Sequence, residues 1–368
     1  MRAFEFLLEA EEQEAPQLDT DNFEDLRNAL IAKIQRLPAD SKSLDFLKLV
    51  KDALKKQGTS TRIVGLLDAR SVKAKLEKTR DPDRDEQLND ALARFIVSAP
   101  GSQQEKRDFV ARLAADKLID KEALFNDGKP NSITNCIIGY KKNPVTTYVV
   151  DGLIDDVPQG VGPGEVLMIA LSAGITKMKG KGDLMVTHPV DGEVELKTTK
   201  KKSPRFQDRA VKAQKDYDQK SDNFVKNYVD QTGVKFPPAG MNLKHVIEAY
   251  SLAEDKEGFK TDLTSILDSI YPLAESNTKA AVIEAITSDD FVQAQQLYAK
   301  ASFQNYKAHK KFEGVLYLNL KNGKTLYYNE WEDITAAGGS IGVGTIYMVA
   351  ANTNEGPFPQ IELRLPID

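Results

Sequence analysis

Residues 182–206 read "GDLMVTHPVDGEVELKTTKKKSPRF". Leu184, Val186, Val194 and Leu196 alternate with polar residues, the period of two strands joined by a hairpin loop. A tight turn at Asp191-Gly192 would set Val186 opposite Lys197 and Leu184 opposite Thr199. Apolar would then face polar throughout, which a buried face rejects. A wider loop centred on Pro189 pairs Leu184 with Val194 and Asp183 with Glu195. The apolar residues then share a core face, and Asp183, Glu195 and Lys197 share the other. Directly opposed Cβ atoms lie about 5 Å apart, close enough for two carboxylates to share a cation.

Such a pair is costly unless it is protonated or bridged. A hard divalent ion such as Mg²⁺ suits its oxygen atoms. Lys197, two residues beyond Glu195, points to the same side. There it can orient a water or neutralise charge developing on a phosphate. Glu165, in the first turn of the preceding predicted helix, is a further carboxylate for such a shell. The plainer alternative is a solvated hairpin with ordinary surface charge, and for Glu165 a first-turn acid favoured by the helix dipole.

The order "GPGE", "GDLMV", "EVELK" and then a Lys-rich predicted helix from Phe206 resembles the PD-(D/E)xK nuclease superfamily, the restriction-endonuclease-like fold. The resemblance covers about residues 165–230, and Gly182-Asp183 stands where the family's name has Pro-Asp. It implies a central mixed sheet flanked by helices and Mg²⁺-dependent hydrolysis of phosphodiester bonds in DNA, with Mn²⁺ as a substitute ion. It implies Asp183 and Glu195 as metal ligands, Lys197 as the catalytic lysine and Glu165 as the assisting acid and further ligand. Many such nucleases act as dimers, so a homodimer is among the arrangements implied.

Between Lys197 and Lys226 stand ten basic and four acidic residues, in a chain whose net charge is −5. Lys200, Lys201, Lys202, Arg205, Arg209 and Lys212 are the candidate phosphate contacts. Arg209 and Lys212 are three apart and share a face if helical. The net charge argues against general polyanion binding, so any nucleic-acid contact is local.

Upstream, "TDNFEDLRNALIAKIQRL" places Phe23, Leu26, Leu30 and Ile34 at helical spacing, and "SKSLDFLKLVKDALKKQG" ends on Gly58, a good C′ residue. Two more helices are predicted within 83–125, and residues 19–145 read as an all-helical domain. From 146 to 368 strands and helices mix. "TTYVVDGLI" is β-branched and predicts a strand. "VGPGEVLMIALSAGI" predicts a buried helix with Pro163 in its first turn. Two or three helices are expected over 241–308, a hairpin with an Asn-Gly turn over 310–334, and two further strands in the tail. Tyr327, Tyr328 and Trp331 read as sheet packing. The fold class expected is α+β, a helical domain followed by a nuclease-like domain with a C-terminal β extension.

The single cysteine, Cys136, forms no internal disulfide and reads as a partly buried small hydrophobe. The three histidines lack zinc-site spacing. No apolar run is long enough for a membrane helix.

Residues 1–18 read as an amphipathic segment and acidic linker. "MRAFEFLLEAEE" resembles the capsid-targeting peptides of proteins packaged inside tailed-phage heads, which implies cleavage after Glu9. The expected setting is then the host cytoplasm or the virion interior, with phage head or virion proteins as partners of the helical domain. The alternative for this segment is a short amphipathic helix docked on the body. Two other functions stay open: a non-enzymatic virion protein with a nuclease-like core, and a nucleic-acid-binding module without cleavage.

Overall fold

In the computed structural model the described residues are 22–35, 44–70, 83–155, 161–177, 183–199, 205–206, 216–229, 233–234, 241–343, 347–349 and 361–364. The capsid-targeting segment and its Glu9 site lie outside them. So do Lys200, Lys201, Lys202, Arg209, Lys212 and the side chain of Arg205.

Helices α1 (Asn22–Gln35), α2 (Leu44–Lys56), α3 (Thr59–Arg70), α4 (Arg84–Ser98) and α5 (Gln103–Ala114) come first. The two-residue strand β1 (Asn131–Ser132) follows. Next are α6 (Pro144–Asp155), α7 (Pro163–Leu171), β2 (Ile175–Lys177), β3 (Leu184–Val186), β4 (Gly192–Thr199) and β5 (Arg205–Phe206). Helix α8 (Tyr217–Phe224) runs into a π-helical turn at Val225–Val229. Then come β6 (Met241–Asn242), α9 (Leu243–Leu252), α10 (Lys256–Ile270), α11 (Ser276–Thr287) and α12 (Phe291–Lys310). The chain continues through β7 (Gly314–Asn319), β8 (Lys324–Tyr328), α13 (Trp331–Ala336), β9 (Ser340–Val343), β10 (Tyr347–Val349) and β11 (Ile361–Arg364).

The described residues fall into two compact units. One takes those within 1–121, 134–177 and 184–188; the other takes those within 122–133, 178–183 and 189–368. The division is therefore not a single cut near 145. In the first unit Leu26, Leu30, Val50, Ile63, Leu67, Leu88 and Phe95 are fully buried. Helix α5 starts with a capping box, in which Ser102 and Glu105 satisfy each other's backbone N–H groups. It stops before Asp116, whose φ is +54°. Strands β2 and β3 pair antiparallel, Ile175 with Val186 and Lys177 with Leu184.

The stretch "TTYVVDGLI" corrects the expectation of a strand: it is helix α6. Asn143 caps it, accepting from the N–H of Thr146 at 3.0 Å, and Pro144 takes the first helical position, where its missing N–H costs nothing. Val145, Val149 and Leu153 repeat every four residues and are all buried. Burial of that stripe outweighs the modest β preference of its valines. Cys136 is fully buried, as a small hydrophobe.

The second unit is mixed α and β. Strand β7 is central: it pairs in parallel with β4 and antiparallel with β8, and β8 pairs with β1. The β7–β8 hairpin turns through Leu320–Gly323, with Gly323 at φ +70°, where a side chain is unfavourable. On one face of this mixed sheet Val315, Tyr317, Leu326 and Tyr328 pack against Phe303 and Tyr306 of α12 and Trp331 and Ile334 of α13. Trp331 thus opens a helix rather than ending a strand, while Tyr327 and Tyr328 belong to β8 as expected.

Helix α12 also joins a second core. There Phe224, Val246, Phe259, Leu263, Ile266, Val282 and Tyr298 close α8 to α12 around one another. Four helices occupy 241–310, more than the two or three expected. A further correction concerns the Lys-rich helix predicted from Phe206. Arg205–Phe206 is a short strand paired with β11, and the described helix begins only at Tyr217. Strand β11 also pairs with β9, and β10 pairs with β6, so the described residues of the tail hold three strands.

Candidate functional site

Strand β4 carries the site. Glu195 and Lys197 stand opposite Val315 and Tyr317 in the parallel register, so all four share the face that α12 covers. Val194 and Leu196 take the other face and are buried. Side-chain alternation thus puts an acid and a lysine beneath a helix. Both residues adjoin an apolar layer, and Glu195 is only 3% exposed.

Tyr306 of α12 completes the arrangement. The Lys197 ammonium lies 2.5 Å from Glu195 Oε1 and 3.1 Å from the Tyr306 hydroxyl oxygen. The Tyr306 hydroxyl donates to the same Glu195 Oε1. Both donors therefore meet one carboxylate oxygen. The other, Glu195 Oε2, is buried and has no hydrogen-bond partner among the described residues.

Asp183 stands immediately before β3, in the unit that holds Glu195. Its Oδ2 accepts the backbone N–H of Leu196 at 3.0 Å. Five residues, Thr187–Asp191, separate β3 from β4, and Gly192 is already strand. Asp191-Gly192 is therefore not a two-residue turn. Burial pushes the Glu195 carboxyl above the usual carboxylate range; the Lys197 charge opposes this and the Asp183 charge adds to it.

Asp183, Glu195 and Lys197 are thus gathered in one unit. Glu165 belongs to the other, in the first turn of α7, nearly buried, with Oε1 3.0 Å from Nη2 of Arg70. An assisting acid had been expected there, and the ion pair with Arg70 gives it a structural partner. Among the described residues no group of three or more His, Cys, Asp or Glu side chains is placed to hold a metal ion.

Sequence reasoning missed Tyr306 and Arg70. Tyr306 is 111 residues from Glu195 and lies in an ordinary amphipathic helix, so no local pattern marks it.

No protein-family model, curated protein or solved structure gives a significant match to the chain.

Proposed function

We propose that the protein is a metal-dependent nuclease that hydrolyses phosphodiester bonds of DNA. The observation that carries this reading is the one-sided occupation of Glu195: two donors on Oε1, and Oε2 buried without a hydrogen-bond partner among the described residues, in a carboxyl that feels the Asp183 charge. Asp183 and Glu195 would hold a Mg²⁺ ion, and they fit it, since hard oxygen donors and one or two carboxylates are its usual protein ligands. When bound, such an ion neutralises charge on a phosphate and acidifies a water.

The chain's own groups supply the rest. Asp183 is anchored by a backbone N–H, so its carboxylate is held rather than free to swing. Lys197 has three N–H donors; Glu195 and Tyr306 take two, and the third serves a phosphate oxygen or the attacking water. The basic residues from Lys200 onward continue directly from β4 in sequence and are the proposed phosphate contacts.

A non-enzymatic reading, a phage virion or interaction protein, has one observation on its side. The metal-capable side chains gathered at β4 number fewer than three among the described residues. Glu195, Lys197 and Tyr306 would then be a buried polar lock between β4 and α12. Nicking of supercoiled DNA separates the two. The nuclease reading expects nicking with Mg²⁺, none with chelator, and a loss of at least about a hundredfold in Lys197→Met. Equal nicking by the variant, or none by the wild type under either condition, overturns it.

A further inference from the structure

We infer that Tyr306 is the positioning residue of this site, fixing Glu195 so that Oε1 is taken by protein donors and Oε2 is presented to a cation. The inference rests on the nuclease reading for the identity of the ligand. Its geometric basis is independent of it.

A glutamate's terminal torsion is broad and nearly two-fold. Glu195 alone could therefore offer either oxygen, or both, to Lys197, whose flexible stem would follow. Tyr306 removes that freedom. Tyr306 is 2% exposed, and its ring packs edge-on against Phe312, with centroids 5.3 Å apart. Its hydroxyl has one proton, which goes to Glu195 Oε1. Its oxygen receives Lys197 at 3.1 Å, and the same ammonium lies 5.2 Å from the ring centroid. Lysine, tyrosine and glutamate close a ring of three hydrogen bonds, two from the ammonium and one from the hydroxyl. Oε2 is the atom left over, in a setting where a buried anionic oxygen without a partner is costly. A cation at Oε2 relieves that cost, and the donors on Oε1 keep Oε2 the oxygen that meets it.

The test is a calorimetric titration of Mn²⁺ into the full chain without nucleic acid, for wild type, Tyr306→Phe and Glu195→Gln. Loss of a group that orients a metal ligand lowers affinity by about ten- to hundredfold. That drop is expected in Tyr306→Phe while the metal-free chain stays folded, and Glu195→Gln should bind no ion at this site. Wild-type affinity in Tyr306→Phe overturns the role of Tyr306 and leaves the nuclease reading standing. No binding by wild type, or wild-type binding by Glu195→Gln, overturns both. A second readout does not depend on that variant folding. With 3-fluorotyrosine incorporated at position 306 alone, Mg²⁺ should shift its fluorine resonance in the wild-type background and not in Glu195→Gln. An unmoved resonance in the ion-bound chain contradicts the inference.

Discussion

Asp183 accepts a hydrogen bond from the backbone N–H of Leu196 at 3.0 Å, which seats its carboxylate one residue along from Glu195. The bond separates two properties of Asp183, its anchoring and its charge. Asp183→Asn keeps an amide oxygen that can accept from Leu196 while removing the charge. We expect its melting temperature to stay close to wild type and its Mg²⁺ requirement for nicking to rise by about tenfold or more. An unchanged Mg²⁺ requirement would show that the charge of Asp183 has no part in the site.

Asp127 and Asp333 converge on one donor, the Asn329 N–H, at 3.2 and 3.1 Å. Partial desolvation, and then the Asp333 charge, raise the Asp127 pKa. A carboxyl raised by folding contributes stability that is full below its unfolded pKa and is lost as pH rises through the folded value. Asp127→Asn removes that loss. Its melting temperature relative to wild type should therefore climb between about pH 4 and neutrality, by a small amount because Asp127 is largely exposed. Thermal melts across that range check the sign. A difference that does not change with pH would contradict it.

Gly152 sits inside α6, where a Cβ would come 2.4 Å from the ring of the fully buried Phe95. Alanine in a helix interior ordinarily stabilises relative to glycine. Here the ring is held by Tyr148, centroids 4.8 Å apart, and has little room to retreat. Gly152→Ala is expected to destabilise by about 1–3 kcal/mol, read from a denaturant midpoint. A stabilised variant would mean that this helix packs differently from the account given above.

The same helix shows what was legible in the sequence and why some of it was misread. The stretch "NPVTTYVV" holds a capping Asn143, a first-turn Pro144 and apolar residues four apart, yet its five β-branched residues at 145–147 and 149–150 suggest a strand. Elsewhere local rules sufficed. The Asn322-Gly323 turn located the β7–β8 hairpin, Pro163 began α7, and alternation around Leu184 and Val194 located β3 and β4. The parallel pairing of β4 with β7 was not legible, because partners such as Glu195 and Val315 are 120 positions apart in the chain. It is this pairing that buries Glu195 beneath α12 and brings Tyr306 to it. Alternation alone had left Glu195 on an open face.

The most direct test of the central claim is the initial rate of supercoiled-DNA nicking in Mg²⁺ for wild type against Glu195→Gln. The glutamine is nearly isosteric, can still accept from Lys197 and Tyr306, and lacks the anionic oxygen assigned to the ion. The account predicts Mg²⁺-dependent nicking by wild type and a loss of at least about a hundredfold in the variant, with the variant still folded. Nicking by Glu195→Gln at the wild-type rate would contradict it.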